Sequence, residues 1–198
     1  MFATAAALHD IEKRYKTFTL GPLTLTIPAG SIVGLVGENG AGKTTTLKLL
    51  TGVIRPSAGR AELLGGNPAD PATRARIGVV FEDAYFYENL TAAQVGRSMA
   101  GIFGARWQPE AFAGYLTRFG LDPRQKIKEY SRGMRMKLSL ATALAHAPEL
   151  LVLDEPTSGL DPVVRGEILD LFLDLIQDET RSILMSSHIT ADLEQVAE

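Results

Sequence analysis

The fold of this chain is decided by the stretch Gly37-Glu-Asn-Gly-Ala-Gly-Lys43-Thr44. It follows the apolar residues 32–36, which are typical of a strand, and it opens residues 43–51, which are typical of a helix closed by Gly52. The stretch fits the pattern G-x-x-x-x-G-K-[ST], in which a glycine-rich loop turns successive backbone N–H groups toward phosphate oxygens. Because the dipole of the following helix adds to that attraction, the sequence predicts a phosphate-binding loop.

The individual residues of this loop have separate expected roles. Lys43 is expected to reach the β- and γ-phosphates of a nucleotide, and the hydroxyl of Thr44 is expected to hold Mg²⁺. A glycine-rich turn that binds nothing is the alternative, but here both the motif and its strand-to-helix context are present. The residues expected to contact the nucleotide are Gly37, Glu38, Asn39, Gly40, Ala41, Gly42, Lys43, Thr44 and Thr45.

A second apolar run ends in two carboxylates, in the sequence Leu150-Leu-Val-Leu-Asp154-Glu155. Open α/β sheets bind ligands at the carboxyl ends of their strands, so this run predicts that both acids face the nucleotide. Asp154 is expected to hold Mg²⁺, and Glu155 is expected to polarise the attacking water as general base. Acidic residues also follow buried strands as solvated strand ends, so it is the pairing with the phosphate loop that makes the signal specific.

The rest of the chain alternates strand-like and helix-like segments. Short strands are predicted at residues 18–20, 23–27, 77–81 and 182–186, with Gly21-Pro22 as a turn between the first two. Residues 82–148 are mostly helical in pattern: Thr91 and Gln94 form a capping box, Pro109 opens a helix, and another helix covers residues 132–147. Further helices are predicted after the N-cap Asp161 and after Thr190, the last one incomplete at Glu198. Alternation of this kind predicts a parallel α/β core.

Composition excludes several classes of protein. The chain has 198 residues, of which 45% are hydrophobic and 22% charged, values close to those of a single globular domain. A net charge of −3 gives no general attraction to nucleic acid, and the absence of cysteine excludes disulfides and thiolate metal sites. No apolar run approaches the ~18 residues that cross a bilayer, and residues 1–10 lack the basic start of a secretory signal. If the protein serves transport, we expect the membrane path to lie in another polypeptide.

These motifs, in this order, resemble those of the ATP-binding-cassette ATPases over nearly the whole chain. The resemblance implies that Tyr15 stacks on adenine and that His188 contacts the γ-phosphate, although Tyr15 could be a core residue and His188 merely exposed. It also implies that Tyr130-Ser131-Arg132-Gly133-Met134 is the segment that contacts ATP bound to a second cassette, where the family usually has Leu-Ser-Gly-Gly-Gln. Ser131 would equally serve as a plain helix cap. Asp161 lies in the loop that crosses the dimer interface in this family.

The resemblance carries further expectations about architecture and partners. The fold is expected to be α/β, a P-loop core with a mainly parallel sheet, an N-terminal antiparallel β-subdomain and an inserted helical subdomain. The helical subdomain would cover residues 82–149, and the remainder residues 1–81 and 150–198. ATP and Mg²⁺ are the implied cofactors. A second cassette, identical or different, and a separate transmembrane permease are the implied partners, which would place the protein at the cytoplasmic face of the membrane. The exposed aromatic residues 85–90 are expected either to line the permease-docking groove or to pack within the subdomain.

Three positions depart from the family pattern. Glu82 stands where a glutamine usually contacts Mg²⁺ and the catalytic water, so a catalytic and metal-binding role is implied for a carboxylate there. Arg132 replaces a glycine and Met134 a glutamine of the segment that faces the second cassette. Because Lys43 and Glu155 are present, hydrolysis is still expected. Segments of the Ser-x-Gly-Met kind are similar to those of bacterial exporters.

Two other functions fit parts of the pattern. A soluble ATPase of the same family acting on DNA or the ribosome would normally carry a coiled coil or a second cassette, and the chain has neither. A regulatory nucleotide-binding module with little turnover is suggested by Glu82, Arg132 and Met134. The leading prediction is an ATP-hydrolysing transport motor, with export as the direction.

Overall fold

Two β-sheets organise the protein, and the computed structural model describes residues 4–82 and 85–196. One sheet has four strands in the order β3-β7-β6-β5, and the other has three in the order β2-β1-β4. The strands are β1 (Thr4–Arg14), β2 (Thr19–Pro28), β3 (Ile32–Val36), β4 (Ala58–Leu63), β5 (Ile77–Val80), β6 (Leu150–Asp154) and β7 (Ser182–Ser187). The helices are α1 (Lys43–Leu50), α2 (Pro71–Arg74), α3 (Ala92–Phe103), α4 (Pro109–Arg118), α5 (Arg132–Leu144), α6 (Pro162–Ile176) and α7 (Thr190–Val196).

The four-stranded sheet is parallel throughout, as the alternation of strands and helices predicts. Every residue of β6 and β7 is buried, because helices cover both faces of a parallel sheet. The register pairs Asp154 with Ser186 and Val36 with Ser187. The carboxyl ends of β3, β6 and β7 therefore meet at one edge, and this edge carries the predicted site.

The three-stranded sheet is antiparallel and lies in the N-terminal part of the chain, which confirms the predicted fold class. The prediction of a turn at Gly21-Pro22 is wrong, because β2 runs through both residues. Proline lacks an N–H for the ladder, and the pairing of β1 with β2 is irregular on either side of Ile11, the partner of Leu23. Gly21 has φ of 93°, and a Cβ there would lie 2.2 Å from the carbonyl oxygen of Ile11, so the close approach requires glycine.

The described residues between β5 and β6 include helices α3, α4 and α5, and the predicted cap signals are confirmed. Thr91 Oγ1 accepts the N–H of Gln94 at 3.3 Å, and Gln94 Oε1 accepts the N–H of Thr91 at 2.8 Å, which closes the capping box. Helix α4 begins at Pro109 as expected, and α5 begins at Arg132 behind its cap Ser131. The division of the chain into a core and a helical subdomain at residues 82–149 remains a prediction.

Within residues 4–82 and 85–196, no helix combines the length and the apolar character that a bilayer crossing requires. The predicted incomplete helix begins at Thr190, and its expected end at Glu198 lies outside the described residues.

Candidate phosphate-binding site

The loop between β3 and α1 has the backbone conformation of an anion cradle. Gly40 and Gly42 have φ of 84° and 94°, a region that costs other residues steric strain. Gly42 is the N-cap of α1 and supplies no side-chain oxygen, so the first N–H groups of the helix have no side-chain cap. A Cβ on Gly42 would lie 2.7 Å from Leu20 of β2, so the loop fits closely against the antiparallel sheet. Open N–H groups at a helix start are the arrangement that binds phosphate.

Lys43 is folded back onto its own loop. Its Nζ donates to the carbonyl oxygens of Gly37 at 2.6 Å and Glu38 at 3.2 Å. It also lies 3.1 Å from Oε1 of Glu155, and only 9% and 8% of the two side chains are exposed. Oε1 accepts no well-aligned hydrogen bond, so the contact is a buried ion pair rather than a directional bond. A phosphate bound in the cradle could therefore form an ion pair with Lys43, whose ammonium group is already close to it.

Thr44 and Asp154 meet, as the predicted metal site requires. Thr44 Oγ1 donates to Asp154 Oδ2 at 2.7 Å. Octahedral Mg²⁺ with ligands at ~2.1 Å places neighbouring ligand oxygens about 2.9 Å apart, so the two oxygens fit adjacent ligand positions. Among the described residues no three His, Asp or Glu side chains form a metal cluster.

Ser186 binds the carboxylate of Asp154 and the backbone of Glu155, and the sequence did not indicate this role. Its Oγ donates to Asp154 Oδ1 at 2.7 Å and accepts the backbone N–H of Glu155 at 3.0 Å. The serine is fully buried and stands opposite Asp154 in the β6–β7 ladder. Which strands are neighbours in a parallel sheet depends on tertiary structure. The only local hint of the role of Ser186 was the change from apolar residues to serine at the end of the predicted strand.

Glu155 and His188 form a hydrogen-bonded pair at the same edge. Oε2 of Glu155 lies 2.7 Å from Nδ1 of His188 and accepts the His188 backbone N–H at 3.3 Å. Burial raises the pKa of Glu155, but the hydrogen bonds from His188 and the close charge of Lys43 outweigh it and leave the pKa below its usual value of 4.5. Glu155 also has φ of 50°, which costs a non-glycine residue roughly 1–3 kcal/mol. A charged carboxylate held in this way is suited to accept a proton from water.

Glu82 and Arg132, two of the departures from the family pattern, contact each other. Arg132 Nη2 lies 3.5 Å from Glu82 Oε1, with both side chains about half exposed. The guanidinium also lies against Gly159, where an added Cβ would be 2.8 Å from Nη1. Glu82 in turn lines the cradle beside Lys43 and Thr44. The two unusual residues thus balance each other's charge within one chain.

The residues predicted to contact a second cassette lie at the starts of α5 and α6. Ser131 Oγ accepts the N–H of Met134 at 3.2 Å, and Asp161 Oδ1 accepts the N–H groups of Val163 and Val164 at 3.1 and 3.0 Å, so both are helix caps. Gly133 packs against Val164, whose Cγ1 would be 3.1 Å from an added Cβ. Contact of Ser131, Arg132, Gly133 and Asp161 with a second cassette stays a prediction.

Two aromatic residues, Tyr15 and Phe18, lie between strands β1 and β2. Tyr15 is partly exposed, with Lys13 Nζ 5.7 Å from its ring centroid, and it lies outside the lining of the cradle. Phe18, which the sequence analysis assigned to a strand, lies in that lining next to Gly42. The cradle has a volume of about 400 Å³ and is lined by Phe18, Glu38, Asn39, Gly40, Gly42, Lys43, Thr44, Thr45, Glu82 and Glu155. Adenine stacking by Tyr15 stays a prediction, and Phe18 is a second candidate.

An apolar groove of about 420 Å³ lies beside α3 and β5. It is lined mainly by aliphatic and aromatic side chains: Val53, Ile77, Val79, Val80, Phe81, Tyr85, Phe86, Met99 and Phe103. Tyr85 and Tyr87 are among the most exposed large side chains, whereas Phe86 and Leu90 pack onto the core. The packing of Phe86 and Leu90 agrees with the second expectation for residues 85–90, and docking by the exposed tyrosines stays a prediction.

Comparison with known proteins identifies relatives over most of the chain. A family model described as ABC transporter matches residues 20–158. The bacitracin transport ATP-binding protein BcrA of Bacillus licheniformis is 38% identical over 99% of this chain and 65% of its own length. The lantibiotic transport ATP-binding protein SrtF of Streptococcus pyogenes is 32% identical over 96% of this chain and 83% of its own length.

A solved structure of the ATP-binding subunit of an ABC transporter superposes with a TM-score of 0.84. It shares 28% sequence identity, and the match covers 98% of this chain and 83% of that one. A cyanobacterial relative from Synechocystis, an uncharacterized ABC transporter ATP-binding protein, is 39% identical over 99% of this chain. The chain spans only 59% of that relative's length.

Proposed function

The chain belongs to the ABC transporter family of ATP-binding proteins, and from that premise we propose that it is the ATP-hydrolysing motor of an exporter. The observation that carries the proposal is the convergence of Lys43, Thr44, Asp154, Glu155 and His188 at the carboxyl edge of one parallel sheet. These residues come from separate strands and loops, so their meeting at one edge is hard to explain by packing alone.

Binding of ATP rearranges the contacts of Lys43 in this proposal. The phosphates enter the loop, and Nζ exchanges its contacts with Gly37, Glu38 and Glu155 for phosphate oxygens. Thr44 and Asp154 would hold Mg²⁺, which would supply positive charge to the phosphates. Removal of Lys43 from Glu155 leaves the carboxylate with His188 as its partner.

Hydrolysis then depends on Glu155. With Lys43 withdrawn, Glu155 Oε1 is free to accept a proton from a water placed in line with the γ-phosphate, and Oε2 remains bound to His188. His188, whose side chain is 40% exposed, can turn its ring toward the phosphate from the same edge. Glu82 also lines the cradle and is proposed to hold the metal and the water.

A second cassette completes the site in this proposal. Ser131, Arg132 and Gly133 begin helix α5, and Asp161 caps α6. The start of α5 leaves backbone N–H groups and one cationic side chain for the γ-phosphate bound to the other cassette. The partner cassette is a copy of this chain or a related one.

The apolar groove beside α3 is the proposed contact with a separate transmembrane permease, at the cytoplasmic face of the membrane. Its open aromatic lining, including Tyr85, suits the apolar side of a short helix. The relatives named for bacitracin transport, lantibiotic transport and fluoroquinolone export support export as the direction. The cargo would be selected by the permease.

Three measurements test the proposal. Purified protein should hydrolyse ATP with Mg²⁺ and stop when EDTA removes the metal, and it should co-purify with a membrane protein encoded beside it. Binding without turnover would favour a regulatory module, and turnover without a membrane partner would favour a soluble ATPase.

For the second cassette, ATP should convert the Glu155→Gln variant from monomer to dimer in light scattering, and Ser131→Arg should prevent that dimer. A Glu155→Gln/Ser131→Arg protein that still dimerises with ATP would contradict the trans contact.

A further inference from the structure

Asp192 in α7 is a carboxylate with 0% of its surface exposed. An acidic side chain near a helix start usually stabilises the helix dipole from solvent, at about 0.3–1 kcal/mol, and needs no burial. A fully buried carboxylate loses its hydration and persists only with strong partners. Thr157 Oγ1 donates to Oδ2 at 2.5 Å, and Arg165 Nη2 contacts Oδ1 as an ion pair. The burial of Asp192 is therefore supported by two separate segments.

The first of these partners stands next to the proposed general base. Thr157 follows Glu155 by two residues, and Asp192 follows His188 by four. The segments that carry Glu155 and His188 are thus linked twice, once by the Glu155–His188 pair and once by Thr157 and Asp192. The first link lies where nucleotide and water must enter. The second is buried, so it can persist while the first exchanges partners.

The other partner comes from the helix that carries the proposed dimer contact. Arg165 lies in the first turn of α6, and its backbone N–H donates to the carbonyl oxygen of Asp161 at 3.0 Å. Asp161 caps the same helix and is the residue proposed to face the second cassette. Asp192 therefore connects the start of α6, through Arg165, to the segment that holds His188.

We propose that Asp192 is a positioning residue for the ATPase reaction, holding the His188 segment against Glu155 and coupling it to the start of α6. Its carboxylate is the fixed point to which Thr157 and Arg165 attach. The proposal rests on the proposed function for its kinetic consequence, but the mechanical tether can be measured in the protein without nucleotide.

Thr157→Val tests the tether, because it removes the hydroxyl and nearly preserves volume. The matched control is Ser182→Ala at the opposite end of β7, which deletes another buried hydroxyl, one that accepts the N–H of Gly30 at 2.9 Å. Thr157 and Ser182 are both 2% exposed, so the two substitutions remove hydroxyls from equally buried positions. In hydrogen–deuterium exchange without nucleotide, Thr157→Val should speed exchange in residues 188–196 severalfold, and Ser182→Ala should leave those residues near wild type.

The kinetic readout separates positioning from general stability. Thr157→Val should lower kcat by about 10–100-fold, the usual effect of removing a residue that orients a catalytic group, with KM for ATP changed less than about threefold. Thr157→Ser should restore most of kcat, since it keeps the donor. Equal kcat in Thr157→Val and Ser182→Ala, or no rescue by serine, would overturn the proposal. If wild type binds ATP but does not hydrolyse it, the proposed function fails, while the exchange experiment still decides the tether.

Arg165 gives an independent test if Thr157→Val does not fold. Arg165→Gln leaves the Asp192 carboxylate buried without its cation. Adding Asp192→Asn to that variant removes the uncompensated negative charge. The double variant should therefore exchange more slowly at residues 188–196 than Arg165→Gln alone. If the increase in exchange in the double variant equals the sum of the increases in Arg165→Gln and Asp192→Asn alone, a direct link between Arg165 and Asp192 would be contradicted.

Discussion

Replacing Glu155 with glutamine should make the nucleotide-free protein bind ATP more tightly, because ATP and Glu155 compete for Lys43. The Nζ–Oε1 distance is 3.1 Å, and with 9% and 8% of the side chains exposed the pair is poorly screened by solvent. The amide of glutamine keeps the shape of the side chain but removes the charge. Lys43 would still contact the carbonyl oxygens of Gly37 and Glu38, so the loop should keep its form.

The size of the effect follows from the geometry. A hydrogen bond to a charged group contributes ~1.5–3 kcal/mol, and because Oε1 accepts no hydrogen bond that meets the usual geometry, we place this ion pair at or just below the lower end of that range. A gain of about 1.4 kcal/mol corresponds to a tenfold lower Kd. Calorimetric titration with ATP in EDTA measures that Kd without hydrolysis.

Glu38→Gln is the matched control for this experiment. The Glu38 carboxylate lines the same cradle, but Lys43 bonds only its backbone oxygen. Loss of a more distant exposed charge should change the Kd by less than about threefold. An unchanged or weaker affinity in Glu155→Gln would refute the competition, and a tenfold gain in Glu38→Gln would show a general charge effect instead.

Three further variants or conditions have defined outcomes. Lys43→Ala should weaken ATP binding by at least about 100-fold, since the phosphates lose the cation in the loop; near-normal calorimetric affinity would contradict its assignment. Glu82→Gln should retain measurable hydrolysis with a shifted Mg²⁺ dependence and should release Arg132; complete loss of activity in a folded protein would mean that the carboxylate has another role. The pKa of Glu155 is depressed in the folded protein, so its contribution to stability should be present above pH 4.5 and be lost as pH falls through the folded pKa. The thermal unfolding midpoints of wild type and Glu155→Gln should therefore approach each other as the pH falls below 4.5. A difference in midpoint that stays constant down to pH 3 would contradict the lowered pKa of Glu155.

Local signals in the sequence were sufficient for the parts of the site that a short segment determines. The phosphate loop, the strand that ends at Asp154 and the capping box at Thr91 each depend on neighbours within about one helical turn, and the structure has all three elements in the predicted places. The nucleotide-binding roles drawn from them remain predictions.

Contacts between segments that are far apart in the chain could not be predicted from the sequence. Strand β4 was not predicted, because its Ala58–Leu63 sequence has polar and small residues, and it pairs with β1 through tertiary context. Ser186 acquires its role only through the register with Asp154. Likewise, the pairing of Glu82 with Arg132 joins residues fifty positions apart, which no local pattern encodes.

The rate of ATP hydrolysis by Glu155→Gln is the most direct test of the proposed catalytic mechanism, because the variant separates ATP binding from the hydrolysis step. The amide should keep the nucleotide site and the contact of Thr44 with Asp154 at 2.7 Å, while removing the group that accepts the proton of water. General-base catalysis contributes about 10²–10⁴ in rate, so turnover with saturating ATP and Mg²⁺ should fall by that factor while ATP remains bound. Undiminished hydrolysis by the purified variant would contradict the catalytic role of Glu155 and the motor mechanism built on it.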